Sequence, residues 1–247
     1  AQARPPPPAG PPGGPAADGG GAPELPSDSD LAALQRRIED MRVHPRMPLV
    51  VLDAMLPGQR LKFKSDDALV ERLAEDGEVC VVGAWQGRPL RRGVVANLSR
   101  LGGGEWEFRA RRHVELLGQP EQDEGGFMTA RLASVEDEVQ DVDIEVAKTL
   151  DPLVEEWRGL VEGTKFERFG GQVQGILQDL GPMPPAADAG ARAMWVAALV
   201  NPLPALGVAR EIRPAALAAD TVGQRLVVAL EGIKGSIGHL SGERPLF

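Results

Sequence analysis

Hydrophobic and polar positions divide the chain into a strand-like half and a helix-like half. Met47 to Leu56 is a short apolar run, Pro57-Gly58 reads as a turn, and a second strand ends at Phe63. A helix-like run from Ser65 to Glu75 follows. Val79 to Ala84 reads as a buried strand, and Arg92 to Leu101 alternates in part before the glycine turn Gly102 to Gly104. Glu105 to Ala110 alternates with period two, as a half-buried strand does, and continues through Val114 to Leu117. Phe127 to Val135 is the last strand. Short strands joined by turns, with one helix inserted early, predict a small coiled β pseudo-barrel.

After Val135 the period changes. Glu136, Asp137, Glu138, Asp141, Asp143 and Glu145 form an acidic crossing that lacks the glycine and closing glutamate of a calcium loop, so a solvated connector is expected. Leu153, Trp157, Leu160 and Val161 then share one helical stripe, which Asp151-Pro152 starts or kinks. Phe166 to Leu180, Ala189 to Val200, Pro214 to Thr221 and Gly223 to Ile237 read as four more helices, separated by Pro182 to Pro185 and Pro202-Leu203-Pro204. The fold class expected is α+β, a β pseudo-barrel followed by an α-helical bundle.

The beginning of the chain differs in kind. Residues 1–28 are rich in proline and glycine and bury too little apolar surface to offset their ordering entropy, so a disordered segment is expected. It reads as a linker first and as a polyproline ligand second. A leading helix is expected over 29–45, capped by Ser29, with Leu31, Leu34, Ile38 and Met41 on one face and His44-Pro45 ending it. The domains expected are therefore this segment, this helix, a β domain over 46–138 and a helical subdomain over 139–240.

Composition narrows the function classes. The formal net charge is -9, which argues against a nucleic-acid or anionic-membrane partner, because phosphate binding needs a basic surface. Arg109, Arg111, Arg112 and His113 form a local basic strip, read first as a solvated face. The single Cys80 excludes an intramolecular disulfide and lies in an apolar run, where cysteine acts as a small hydrophobe. No apolar run reaches the roughly 20 residues that span a bilayer. A soluble chain, cytoplasmic or organellar, is expected.

Several motifs in order carry a family resemblance. Pro48, Leu49, Leu52, Asp53, Pro57 and Gly58 stand where the N-terminal substrate-recognition domain of Lon proteases has its opening Pro-Leu-x-x-Leu-x-Asp and Pro-Gly. Gly93 to Leu117 resembles the hairpin of that domain, with Ala110 where a glycine is usual and with Arg112 and Val114 in place. Phe127 to Asp137 is similar to its closing strand and acidic pair. Trp195 to Leu199, Leu203 and Val208 to Leu230 are similar to its helical tail, so the likeness runs over about 46–235. The aromatic residues usual after Pro-Gly are mostly absent. The resemblance implies a PUA-like β domain that recognises exposed apolar segments of polypeptides and has no catalytic role.

The residues themselves offer little for catalysis. No Gly-x-x-x-x-Gly-Lys-Ser/Thr loop exists, since Gly159 to Lys165 and Gly232 to Ser236 carry the residue types at the wrong spacing. His44, His113 and His239 belong to no metal-ligand pair, and Ser236 near Lys234 and His239 lies in a glycine-rich stretch unsuited to holding a nucleophile. No catalytic residue, cofactor or metal is expected. The candidate peptide contacts are Leu56, Leu61, Phe63, Trp85 and Trp106. For Leu61 and Phe63 a core role is the first reading, whereas Trp85 beside Gln86-Gly87 is open between core and surface. The partners expected are unfolded or partner polypeptides. The alternative is an adaptor or scaffold, of ubiquitin-ligase type or other, that binds folded partners, for instance through the helix from Leu31 to Met41.

Overall fold

The apolar run opening at Met47 forms β1 (Arg46–Leu52), and the Pro57-Gly58 turn leads into β2 (Arg60–Lys64). Gly58 has φ +87°, a backbone conformation that side chains rarely adopt, so the turn favours glycine. The chain continues through α1 (Ala68–Glu75), β3 (Glu78–Trp85), β4 (Arg88–Gly102), β5 (Glu105–Gln122) and β6 (Met128–Ser134). The computed structural model describes residues 31–35, 39, 43, 44 and 46–245. The expected disordered segment over 1–28 lies outside the described residues, as do Ile38 and Met41 of the expected leading helix. Residues 31–35 are helical, with Leu31 and Leu34 exposed.

The six strands form one mixed sheet in the order β2-β5-β4-β3-β1-β6, and a further β5–β6 pairing closes it into a ring. β1 runs parallel to β3, with Leu49 opposite Cys80; the other pairings are antiparallel. A parallel pair needs a crossover, which β2 and α1 supply. The 18-residue β5 makes closure possible. Its first half lies between β2 and β4, and its second half between β4 and β6. Among the six strands, β2 alone has a single neighbour.

The helical half comprises α2 (Asp141–Lys148), α3 (Leu150–Val161), α4 (Gln172–Leu180), α5 (Ala189–Val200), α6 (Arg213–Ala218) and α7 (Val222–Leu240). α2 corrects the reading of the acidic crossing as a mere connector. Gln140 and Asp143 make a reciprocal capping box, and Asp141 and Asp143 sit in the first turn, where negative charge complements the helix dipole. Acidity that looked like solvation is a helix start. Pro152 falls within the first turn of α3, where its missing N–H has no intrahelical partner to lose. The helix expected from Phe166 starts only at Gln172, after Gly170 and Gly171, the latter at φ 80°.

Three apolar clusters hold these elements together. Met47, Cys80, Val82, Val95, Val114, Leu116, Ala130 and Leu132 form one within the sheet. A second joins sheet to helices, with Leu56, Val81, Trp106 and Phe108 against Met194, Ala197 and Ala198 of α5 and Leu217 of α6. The third lies among the helices around Trp157, Val196, Leu199 and Ile233. α5 contributes to two clusters, which is why it is apolar all round rather than amphipathic. Gln59 adds a polar tie. Its Nε2 donates to Ala198 O (3.1 Å) and Asn201 O (2.7 Å), and its Oε1 accepts from Leu56 N (3.0 Å).

Ser236 is only 1% exposed. Its Oγ accepts from Trp157 Nε1 at 2.9 Å and donates to Val208 O at 2.7 Å, so it bridges α3 to the loop before α6. Ser236→Ala leaves a buried indole N–H and a carbonyl unpaired. A loss of about 1–3 kcal/mol is expected, measured as a lower denaturation midpoint; an unchanged midpoint would show that both groups find other partners.

Candidate functional site

Of the five contact candidates, two are interior. Leu56 is fully buried, and Trp106 is 3% exposed, with Nε1 donating to Ser65 O at 3.0 Å. Neither side chain offers a face to a partner in this fold. Leu61 and Phe63 are half-buried on β2 against the second cluster, and the Phe63 ring stacks on Phe108 with centroids 5.1 Å apart. Burial follows from the pairing: Leu61 lies opposite Phe108 and Phe63 opposite Trp106, so the four pack as cross-strand neighbours.

Trp85 is the exception, at 46% exposed. It closes β3 and pairs with Arg88 across the two-residue turn Gln86-Gly87. Both turn residues have positive φ, 50° and 76°, the primed-turn geometry that suits the twist of a hairpin. The indole is thus carried on a hairpin tip beyond the packed sheet. It borders a groove of about 610 Å³ that Pro89, Leu90, Arg91 and Ala218 also line. Arg92 fastens the groove wall: Nη1 donates to Ala219 O at 2.6 Å, and Nη2 lies 3.1 Å from Asp220. Arg91 and Arg92 both reach Glu115, at 3.2 and 3.4 Å.

A second cleft, of about 410 Å³, lies where the sheet meets α4, α5 and α7. Leu180, Pro182 and Pro184 line it together with Arg111, Arg112 and His113. Arg225, 3% exposed, also lines it and donates to both oxygens of Asp137, at 2.6 and 2.5 Å. Gly190 sits against this pair; a Cβ there would come within 1.8 Å of Asp137 Oδ2. Burial, helped by the Arg225 and Arg92 charges, pushes His113 down to about 4, so it is neutral at physiological pH. The Asp137 carboxylate and a backbone hydrogen bond at Leu217 oppose that shift without cancelling it.

Elsewhere the chemistry is quiet. Burial pushes the Cys80 thiol up to about 12, against the opposing charge of Arg112, which leaves it without thiolate character at neutral pH. Among the described residues, no three His, Cys, Asp or Glu side chains are placed to hold a metal ion. No helix among them is long and apolar enough to cross a membrane.

Comparison with solved structures identifies the architecture. The N-terminal domain of the Mycobacterium avium complex Lon protease superposes with a TM-score of 0.55 at 17% identity, over 76% of this chain and 98% of that one. The fold is that of a Lon N-terminal domain. A Lon N-terminal domain protein from Xanthomonas campestris gives a TM-score of 0.46 at 16% identity, covering 75% of this chain and 96% of its own. No protein-family model and no curated protein sequence matches the chain. The Lon N-terminal fold accounts for the ring-like sheet and the helices packed on it. The two clefts are built from this chain's own side chains.

The charged cleft was only partly visible beforehand. Arg111, Arg112 and His113 stand out as a basic strip in the sequence, but nothing there places Asp137, Pro182 or Arg225 beside them.

Proposed function

We propose that this chain is a non-catalytic polypeptide-binding domain that holds unfolded or partner proteins at the groove beside Trp85. The observation that carries this reading is the half-exposed indole on a hairpin tip over an open groove. Tryptophan supplies a large, rigid contact area at low entropic cost and is enriched among residues that dominate binding energy. The fold supports the reading, because the family resemblance in the sequence implies recognition of exposed apolar segments. The one-neighbour strand β2 supplies a further element, an open edge to which an extended peptide can add by main-chain hydrogen bonds. Its exposed Lys62 and Lys64 disfavour indiscriminate edge-to-edge pairing.

The test is fluorescence anisotropy of a labelled, permanently unfolded protein titrated with this chain, with its natively folded form as control. Saturable binding to the unfolded form alone is expected. Trp85→Ala is expected to weaken it about tenfold, the effect of losing about 1.4 kcal/mol. Binding to neither form by well-folded protein would overturn the reading. Preferential binding to the folded control would make the chain an adaptor instead.

A further inference from the structure

The strand β5 carries one residue more than its partner: Val95 lies opposite Arg112, and Ala96 lies opposite Ala110, so Arg111 is an inserted bulge. In a regular strand consecutive side chains point to opposite faces. Here the bulge breaks the alternation, and Arg111 and Arg112 are both exposed and both line the cleft between the sheet and the helices. Asn97 Oδ1 holds Arg111 by accepting from Nε at 2.8 Å, and Ser134 Oγ lies 3.4 Å from Arg112 Nη1. Among the described residues neither guanidinium has a carboxylate within ion-pair distance. Arg225 below them is already bidentate to Asp137, so the cleft carries three arginines against one carboxylate. Also lining the cleft, His113 and Arg225 carry Nε2 and Nε atoms that are buried without hydrogen-bond partners, which adds polar capacity that the protein's own groups do not use. The same cleft is also lined by the apolar Leu180, Pro182 and Pro184.

We infer that this cleft is a subsite for an acidic side chain flanked by apolar residues in an extended peptide. This deepens the polypeptide-binding reading and rests on it. The two guanidiniums, neither of them in an ion pair among the described residues, present forked donors that match a carboxylate, and Leu180, Pro182 and Pro184 receive the apolar neighbours of that residue. The volume of about 410 Å³ lies in the range of ligand-binding clefts. The net charge of -9 repels an acidic partner at long range. Selectivity for one must therefore come from contacts inside the cleft, and removing the arginines is the informative change.

The experiment titrates the full chain into two labelled peptides, a Gly-Leu-Glu-Pro repeat and its Gly-Leu-Gln-Pro counterpart. The glutamate peptide is expected to bind about tenfold more tightly, equivalent to about 1.4 kcal/mol. The double variant Arg111→Ser, Arg112→Ser is expected to abolish that preference. Arg112→Gln alone is expected to reduce it, and serves if the double variant does not fold. Trp85→Ala is expected to weaken both peptides while leaving their ratio unchanged. Equal binding of the two peptides, or a preference that survives loss of the arginines, overturns the subsite and leaves polypeptide binding standing. Binding of neither peptide also overturns it, and only failure to bind the unfolded protein removes the broader reading as well.

Discussion

Replacing Asp137 with alanine is expected to destabilise the fold by about 3–5 kcal/mol, the cost of stranding one member of a buried ion pair. Arg225 is 3% exposed and spends two donors on the Asp137 carboxylate, which is itself only 21% exposed at the side chain. With the carboxylate gone, the guanidinium keeps its charge, since arginine does not deprotonate, and it is left without its counter-charge in a largely buried position. The pair also joins distant parts of the chain, because Asp137 follows β6 and Arg225 lies in the first turn of α7. Chemical denaturation should show a lower midpoint with an unchanged slope. Combining Asp137→Ala with Arg225→Met should recover much of the loss, because an apolar side chain carries no stranded charge. A change below about 1 kcal/mol for Asp137→Ala would place the cost within the surface-pair range and contradict the buried-pair assignment.

Acid is expected to have the next largest effect, through His113. Its pKa falls from the ordinary 6.5 to about 4 in the folded protein, chiefly by burial and then by the charges of Arg225 and Arg92. Between these values the unfolded chain binds more protons than the folded one, so stability rises with pH across that window. The contribution is complete above about 6.5 and is lost as pH falls through about 4. Its full size is on the order of 3 kcal/mol, the cost of moving that pKa from 6.5 to about 4. Denaturation midpoints measured from neutral pH down to about 4 should fall for the native sequence. His113→Phe should flatten that part of the curve. A variant as acid-sensitive as the parent would assign the loss to the carboxylates instead.

The period-two run Glu105 to Ala110 and the Pro57-Gly58 turn were legible because their signals are local: alternation marks a half-buried strand and glycine marks a positive φ. The acidic crossing misled because one pattern of carboxylates suits both a solvated connector and a helix start, and only the Gln140–Asp143 capping box separates them. Among the contact candidates, apolar character is common to core and surface. Leu56 and Trp106 went inside because both join the cluster that packs the sheet against α5 and α6, whereas Trp85 stayed out because its hairpin extends past the packed sheet.

The sequence by itself determined the α+β order, the strand-rich half before the helical half, and the likeness to the Lon N-terminal fold. The first two follow from hydrophobic period and turn residues, which act over a few positions; the likeness follows from the order of motifs such as Pro48 to Gly58 and Gly93 to Leu117. Tertiary structure alone decided the closure of the sheet through β5 and β6, the bulge that puts Arg111 and Arg112 on one side, and the meeting of Asp137 with Arg225. These depend on strand register and on contacts between residues as far apart as 88 positions. A single inserted residue reverses which face a side chain occupies, and no local pattern of polarity records where that insertion falls.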